Sequence, residues 1–227
     1  MTRMFSHMED VYLDTSSHQV FVRKIEKVGE VVLSRCESAE VTEEQRVDAY
    51  ANAIVDSSLN LKNWNVQVAN FIARVNFLAS VYPELDMESF DKDTEYLIIK
   101  QICSSSKKWK EIRNSNVINF IYAHYGAEKI KLLDQAVPAS LNLTVQGKPI
   151  DLRYERDKVY LSAPIQKFYD IKEHPRIVFG QCVVMLELLA PNGRVVQCTD
   201  DIVGFWNGSY PAVKKELAGR YPKHEWK

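Results

Sequence analysis

The residues most able to do chemistry cluster near the end of the 227-residue chain. Phe205-Trp206 and Tyr210, then Lys214-Lys215-Glu216, then Gly219-Arg220-Tyr221-Pro222-Lys223-His224-Glu225-Trp226 interleave rings with cations. Aromatic faces stack unpaired bases, and Arg and Lys neutralise phosphates, so the pattern reads as a grip on single-stranded RNA or DNA. The same residue types also read as packing, with Phe205, Trp206 and Tyr210 on the apolar face of two short helices and the lysines solvated. The candidate contacts, for nucleic acid or for docking on another domain, are Arg194, Trp206, Tyr210, Lys214, Lys215, Arg220, Tyr221, Lys223, His224 and Trp226. A second basic run, Lys107-Lys108-Trp109-Lys110 continued by Arg113, reads as a solvated loop around a central aromatic.

Other chemistries lack their residues. A phosphate-binding loop needs Gly-x-x-x-x-Gly-Lys-Ser/Thr so that backbone amides wrap the phosphates and the lysine reaches them. Gly147-Lys148 is followed by Pro149 where the magnesium-binding hydroxyl belongs, and it reads as a hairpin turn. No Asp-Glu-x-His and no Gly-x-Ser-x-Gly occurs. Cys182 and Cys198 fall on predicted strands, where cysteines pack as small hydrophobes. Asp200-Asp201 reads as a helix cap followed by a first-turn acid rather than as a metal site. The five histidines show no metal-binding spacing. No catalytic, cofactor-binding or metal-binding residue is assigned.

The composition is that of an ordinary globular chain, 46% hydrophobic and 26% charged, with a formal net charge of −1. No global basic field draws a nucleic acid, so any such contact must be local. Four cysteines without Cys-x-x-Cys spacing argue against a zinc site or a disulfide framework and fit a reducing cytoplasm. The first residues lack the apolar core of a signal peptide. The longest apolar run, Val183–Ala190, is too short to span a bilayer and contains Glu187, so no membrane role is expected.

The elements that must position these residues fall into three stretches. Residues 1–40 read as strands around Val11–Leu13, Val20–Ile25 and Val31–Leu33, with a turn at Thr15–His18. Three strands are either the end of a larger sheet or a small sheet packed on the next segment of the chain. Residues 41–137 read as a helical bundle. Thr42 and Gln45 have capping-box spacing, and Val47, Tyr50, Ala51, Ile54 and Val55 come after them at helical intervals. A second helix carries Val68–Leu78 and ends before Pro83. An acidic connector, Pro83–Glu95, leads to a helix at Tyr96–Ile102. Further helices are expected at Val117–His124 and Ala127–Ala136.

Residues 138–227 return to β. Leu141–Val145, a turn at Gln146–Pro149, and Ile150–Tyr154 form an expected hairpin, with Val159–Leu161 as a third strand. Pro164 opens a short helix over Ala163–Ile171. Val183–Leu189 reads as one buried strand, returned by Asn192-Gly193 through Arg194–Cys198. Asp200 or Asp201 caps a first short helix. Ser209 with Pro211 opens a second, which stops at Gly219 before Pro222. The expected fold class is α+β: a partial N-terminal sheet, a central helical bundle, and a small β-rich module closed by two short helices.

Leu188–Arg194, Gln197, Thr199, Phe205-Trp206, Tyr210, Val213–Leu217, Gly219–His224 and Trp226 closely resemble, in order and spacing, the C-terminal domain of HrpB-type bacterial DExH-box helicases. Leu143–Tyr154 and Ala163–Tyr169 resemble the preceding hairpin and short helix of that family. Asn63-Trp64, Arg74–Leu78 and Val28–Ser34 resemble it more loosely. The resemblance implies an accessory region of an ATP-dependent RNA helicase. ATP and magnesium would be bound by motor domains elsewhere in the parent polypeptide, and the helicase core would be a partner. The first strands would end an OB-like module. Asn207 and Ala218 stand where family members often carry a basic residue.

Overall fold

The computed structural model describes residues 5–28, 30–143 and 147–227. The chain forms two compact units, Met1–Val68 with Asp91–His124, and Ala69–Phe90 with Tyr125–Lys227.

In the first unit, β1 (Phe5–Asp14), β2 (Gln19–Val28) and β3 (Val31–Ser38) make an antiparallel sheet in that order. The Asp14 carboxylate closes the first turn, accepting from the Ser17 hydroxyl (2.6 Å) and the Ser16 amide (2.9 Å). These two bonds hold its pKa below the usual carboxylate range. Val20 and Val22 are buried, whereas β3 is exposed almost throughout. The next helix, α1 (Glu43–Val55), starts on the expected capping box: Thr42 accepts from the Gln45 amide, and the Gln45 side chain accepts from the Thr42 amide. Its buried Tyr50 donates to the carbonyl of His18 at 2.7 Å, tying the helix to the β1–β2 turn.

The helix α2 (Val66–Val81) runs from the first unit into the second, and α3 (Lys92–Ser104) is capped by Asp91. The expected connector Pro83–Glu95 is shorter than predicted, because a 3-10 turn at Pro83–Leu85 and the start of α3 both fall inside it. α3 buries Ile98, Ile99, Ile102 and Cys103. The basic run is likewise not a loop throughout: α4 (Trp109–Arg113) is a helical turn that buries Ile112. The two helices expected around Val117–Ala136 are joined as α5 (Val117–Ala136), interrupted at Gly126. Gly126 has φ 79° and ψ 159°, a conformation open to glycine and strained for other residues.

The second unit is built on a five-stranded sheet. Its strands are β4 (Ser140–Leu141), β5 (Ile150–Glu155), β6 (Lys158–Pro164), β9 (Met185–Leu189) and β10 (Val195–Thr199), in the order β10-β9-β6-β5-β4. Period-2 alternation puts Leu152, Tyr154, Val159, Leu161, Ala163, Leu186 and Leu188 inside. Most pairs are antiparallel, but β6 and β9 are parallel, which local pattern did not reveal. Of the expected strand Leu141–Val145, Leu141 is strand and Asn142 and Leu143 are not, and Thr144–Gln146 lie outside the described residues.

The expected single strand Val183–Leu189 is divided. A separate hairpin, β7 (Arg176–Ile177) with β8 (Cys182–Val183), precedes β9, and the Val184 amide between them donates to the Pro175 carbonyl at 3.1 Å. The expected helix over Ala163–Ile171 is a 3-10 turn at Ile165–Phe168, because Ala163 and Pro164 complete β6. Arg74, only 7% exposed, anchors α2 in this unit. Its Nε donates to the Val137 carbonyl (2.6 Å) and its Nη2 pairs with Asp134 (2.5 Å). The chain closes with α6 (Ile202–Asn207) and α7 (Tyr210–Arg220).

Candidate nucleic-acid or docking surface

The C-terminal surface starts from the β9–β10 hairpin. Gly193, at φ 82°, donates to the Ala190 carbonyl, and Ala190 donates to the Arg194 carbonyl. Pro191, Asn192 and Gly193 thus form a three-residue connection with glycine at its left-handed position. Asp201, not Asp200, caps α6 by accepting from the Gly204 amide at 2.9 Å. A Cβ on Gly204 would overlap that carboxylate. Ser209 precedes α7 without a side-chain capping bond, and Pro211 supplies the start signal.

The aromatics form a packed anchor. Phe205 and Tyr210 are buried and Trp206 is half-buried. The Trp206 ring lies 4.9 Å from Phe205, 4.8 Å edge-on from Tyr210 and 5.6 Å from Tyr169. Tyr169, which sequence reasoning did not single out, is the keystone, and burial pushes its phenol well above the usual tyrosine range. Its hydroxyl donates to the Glu225 carbonyl at 3.3 Å. The Lys227 ammonium bonds Asp170 at 2.9 Å, which raises its pKa, and lies over the Tyr169 ring. Trp226 donates its indole N–H to the Tyr221 carbonyl at 3.1 Å. These rings therefore fold the tail back onto the module.

The cations stay outside. Lys215, Arg220, Lys223 and His224 are exposed, Lys214 and Tyr221 are half-buried, and all lie on α7 or just beyond it. Arg194 approaches from the hairpin, and its guanidinium (3.8 Å) and that of Arg220 (3.5 Å) both face Glu216. The structure thus brings Arg194 and Arg220 to one acid, with Lys214 and Lys215 just before it on α7. Trp206 and Tyr210 instead pack with Phe205 and Tyr169.

Other motifs resolve differently. Trp109, the aromatic of the second basic run, stacks with His18 (5.7 Å) and with Tyr50 (5.6 Å). Lys107, Lys108, Lys110 and Arg113 around it are exposed. Cys182 is half-buried, but Cys198 is exposed and does not pack as expected. His174 spends both ring nitrogens on backbone. Nδ1 accepts from the Ile202 amide (3.1 Å), so Nε2 donates to the Val184 carbonyl (2.6 Å). Among the described residues no cluster of His, Cys, Asp and Glu could hold a metal ion, and no helix is long and apolar enough to cross a membrane.

The second unit thus ends in an α+β module whose two closing helices bury Phe205 and Tyr210 and expose Lys215 and Arg220. The family model for the ATP-dependent helicase C-terminal region, HrpB_C, matches residues 98–227, more than half of the chain. The chain belongs to that family.

It is similar to the ATP-dependent RNA helicase HrpB of Escherichia coli (strain K12), 27% identical over 205 residues that cover 88% of this chain and 25% of that protein. Its fold is similar to the crystal structure of the E. coli DExH-box NTPase HrpB, with a TM-score of 0.74 at 24% identity over 98% of this chain and 28% of the other. The crystal structure of the Escherichia coli DEAH/RHA helicase HrpB gives a TM-score of 0.68 at 23% identity, over 99% and 29%. The chain spans about a quarter of the length of these relatives.

Proposed function

We propose that this chain is a non-catalytic accessory region that serves an ATP-dependent RNA helicase. ATP and magnesium belong to motor domains of the parent polypeptide, which works in the cytoplasm. The chain holds single-stranded RNA or DNA by its phosphates while unwinding is driven elsewhere. The observation that carries this reading is the set of exposed basic side chains Lys215, Arg220 and Lys223, with half-buried Lys214 and exposed His224, on α7 and just beyond it, next to the packed rings of Trp206 and Tyr210 in the sequence. Because the anchor rings are committed to packing, this grip is electrostatic and indifferent to sequence. On this reading the chain divides into the end of an OB-like module at 1–40, a helical bundle at 41–137 and the C-terminal domain at 138–227.

Each phosphate contact on a single strand contributes roughly −0.7 to the slope of log K against log salt, so three contacts give about −2. Binding of a labelled single-stranded RNA across a salt series, with wild type and an Arg220→Ala/Lys223→Ala variant, is the test. A shallower slope in the folded variant supports the reading, and an unchanged slope removes it.

A second reading has its own observation. Glu216 faces both Arg194 and Arg220, which lowers the free charge of the rim. In that case the surface docks on the helicase core without touching nucleic acid, and the same variant loosens that attachment while leaving RNA affinity alone.

A further inference from the structure

The hairpin β7–β8 turns through three successive left-handed residues, Val178 (φ 49°), Phe179 (φ 53°) and Gly180 (φ 89°). Tight hairpins of this hand favour Asn-Gly or Gly, and a β-branched residue at positive φ is a true outlier. Packing explains Val178, which is 1% exposed and donates its amide to the Ala136 carbonyl at 2.8 Å. Packing does not explain Phe179, which is 61% exposed at the tip. Asparagine or glycine at 179 would turn the chain with less strain, so the bulky ring is kept for a purpose outside the fold.

The tip is held firmly. Gly180 donates to the Ile177 carbonyl (3.1 Å), Gln181 to the Val178 carbonyl (3.0 Å), and Arg176 Nη1 to the Gly180 carbonyl (3.2 Å). In β8 the Cys182 thiol donates to the Val183 carbonyl at 3.7 Å. The ring is therefore presented on a rigid mount.

Its surroundings select the ligand. Arg176, Gly180 and Gln181 beside it are exposed, and the stretch Arg176–Val183 contains no acid. An aromatic anchor for a protein pocket is normally ringed by contacts that exclude water, and this one stands alone among polar groups. A lone ring flanked by a guanidinium and an amide suits an unpaired base, with the ring for stacking and the cation for the adjoining phosphate. The geometry points to Phe179 as a stacking residue for single-stranded nucleic acid, with Arg176 as its phosphate contact. The assignment rests on the nucleic-acid reading of this chain but not on the C-terminal rim.

The test uses the 227-residue chain and a labelled single-stranded oligouridylate. Phe179→Ala is expected to weaken binding roughly five- to a hundredfold at every salt concentration, leaving the salt slope unchanged. Phe179→Gly is expected to bind as weakly while raising the melting temperature, because it relieves the left-handed strain. A purely structural phenylalanine would lower that temperature instead. Phe179→Trp is expected to restore affinity and to add fluorescence that the RNA quenches to saturation. Wild-type affinity in Phe179→Ala, or an added tryptophan signal indifferent to saturating RNA, overturns the assignment. Arg220→Ala/Lys223→Ala changes the salt slope only if the rim also binds, so the two surfaces fail separately.

Discussion

The hydroxyl of Tyr210 lies 2.9 Å from the main-chain oxygen of Lys227, seventeen residues further along, and 3.0 Å from the hydroxyl of Tyr169. A buried residue of α7 thus fastens the last stretch of chain to the turn that comes after β6. Tyr210→Phe keeps the ring and deletes these bonds. It is expected to cost about 1 kcal/mol in urea unfolding. Trypsin should also cut faster after Lys223, because the tail is released before the module unfolds. An unchanged cleavage rate would show that the tail is held by Trp226 and Lys227 alone.

Trp109 makes the opposite case to the lone ring of Phe179. Its ring stacks with those of His18 and Tyr50, and it joins the β1–β2 turn to α1. Trp109→Ala is expected to destabilise the chain by about 2 kcal/mol, less than a fully buried tryptophan because the ring is half-exposed. RNA affinity of the folded fraction should not change, since the ring is already stacked within the fold. A selective loss of RNA affinity with normal unfolding would make Trp109 a nucleic-acid contact after all.

Cys103 has no solvent exposure, and burial pushes its thiol up from an ordinary value near 9 to about 12. The neutral thiol is thereby favoured in the folded chain. Its contribution to stability is complete below about pH 9 and is lost as the pH rises through about 12. Urea midpoints measured at rising alkaline pH should fall, and Cys103→Ala should flatten that fall even though its small cavity lowers stability at neutral pH. At neutral pH iodoacetamide should label exposed Cys36 and Cys198 and spare Cys103 until the chain unfolds. An alkaline limb as steep in Cys103→Ala as in wild type would show that other groups control it.

What could be read from sequence was what depends on near neighbours. The capping box of Thr42 and Gln45, the helix break at Gly126 and the return at Asn192-Gly193 are made by residues within a few positions of one another, and each appears where expected. The parallel pairing of β6 with β9 was hidden because it joins segments separated by the β7–β8 hairpin. The same limit applied at the candidate surface. Its residue types were legible, but not that Tyr169 and Asp170 hold the tail or that Tyr210 turns inward. Trp109 looked like the centre of a solvated loop because its partners, His18 and Tyr50, are distant in sequence. The left-handed turn at Val178–Gly180 gave no warning, since neither valine nor phenylalanine favours it.

Glu216 offers the sharpest division between the two readings of the C-terminal rim. It is half-exposed and faces Arg194 and Arg220 across 3.8 and 3.5 Å, as a surface pair that contributes little to stability. Glu216→Gln should therefore unfold at nearly the same urea concentration as wild type, within about 0.5 kcal/mol. If the rim grips phosphates, the variant loses a repulsive charge and frees two guanidinium groups at once. RNA binding should then tighten several-fold at low salt, the gain should fade as screening grows, and the salt slope should steepen. If the rim docks on a helicase core, Glu216 helps to orient Arg194 and Arg220 for that contact, and RNA affinity stays at its wild-type value. A normally folded Glu216→Gln variant with unaltered RNA binding across the salt series would therefore exclude the phosphate grip and leave docking as the role of this surface.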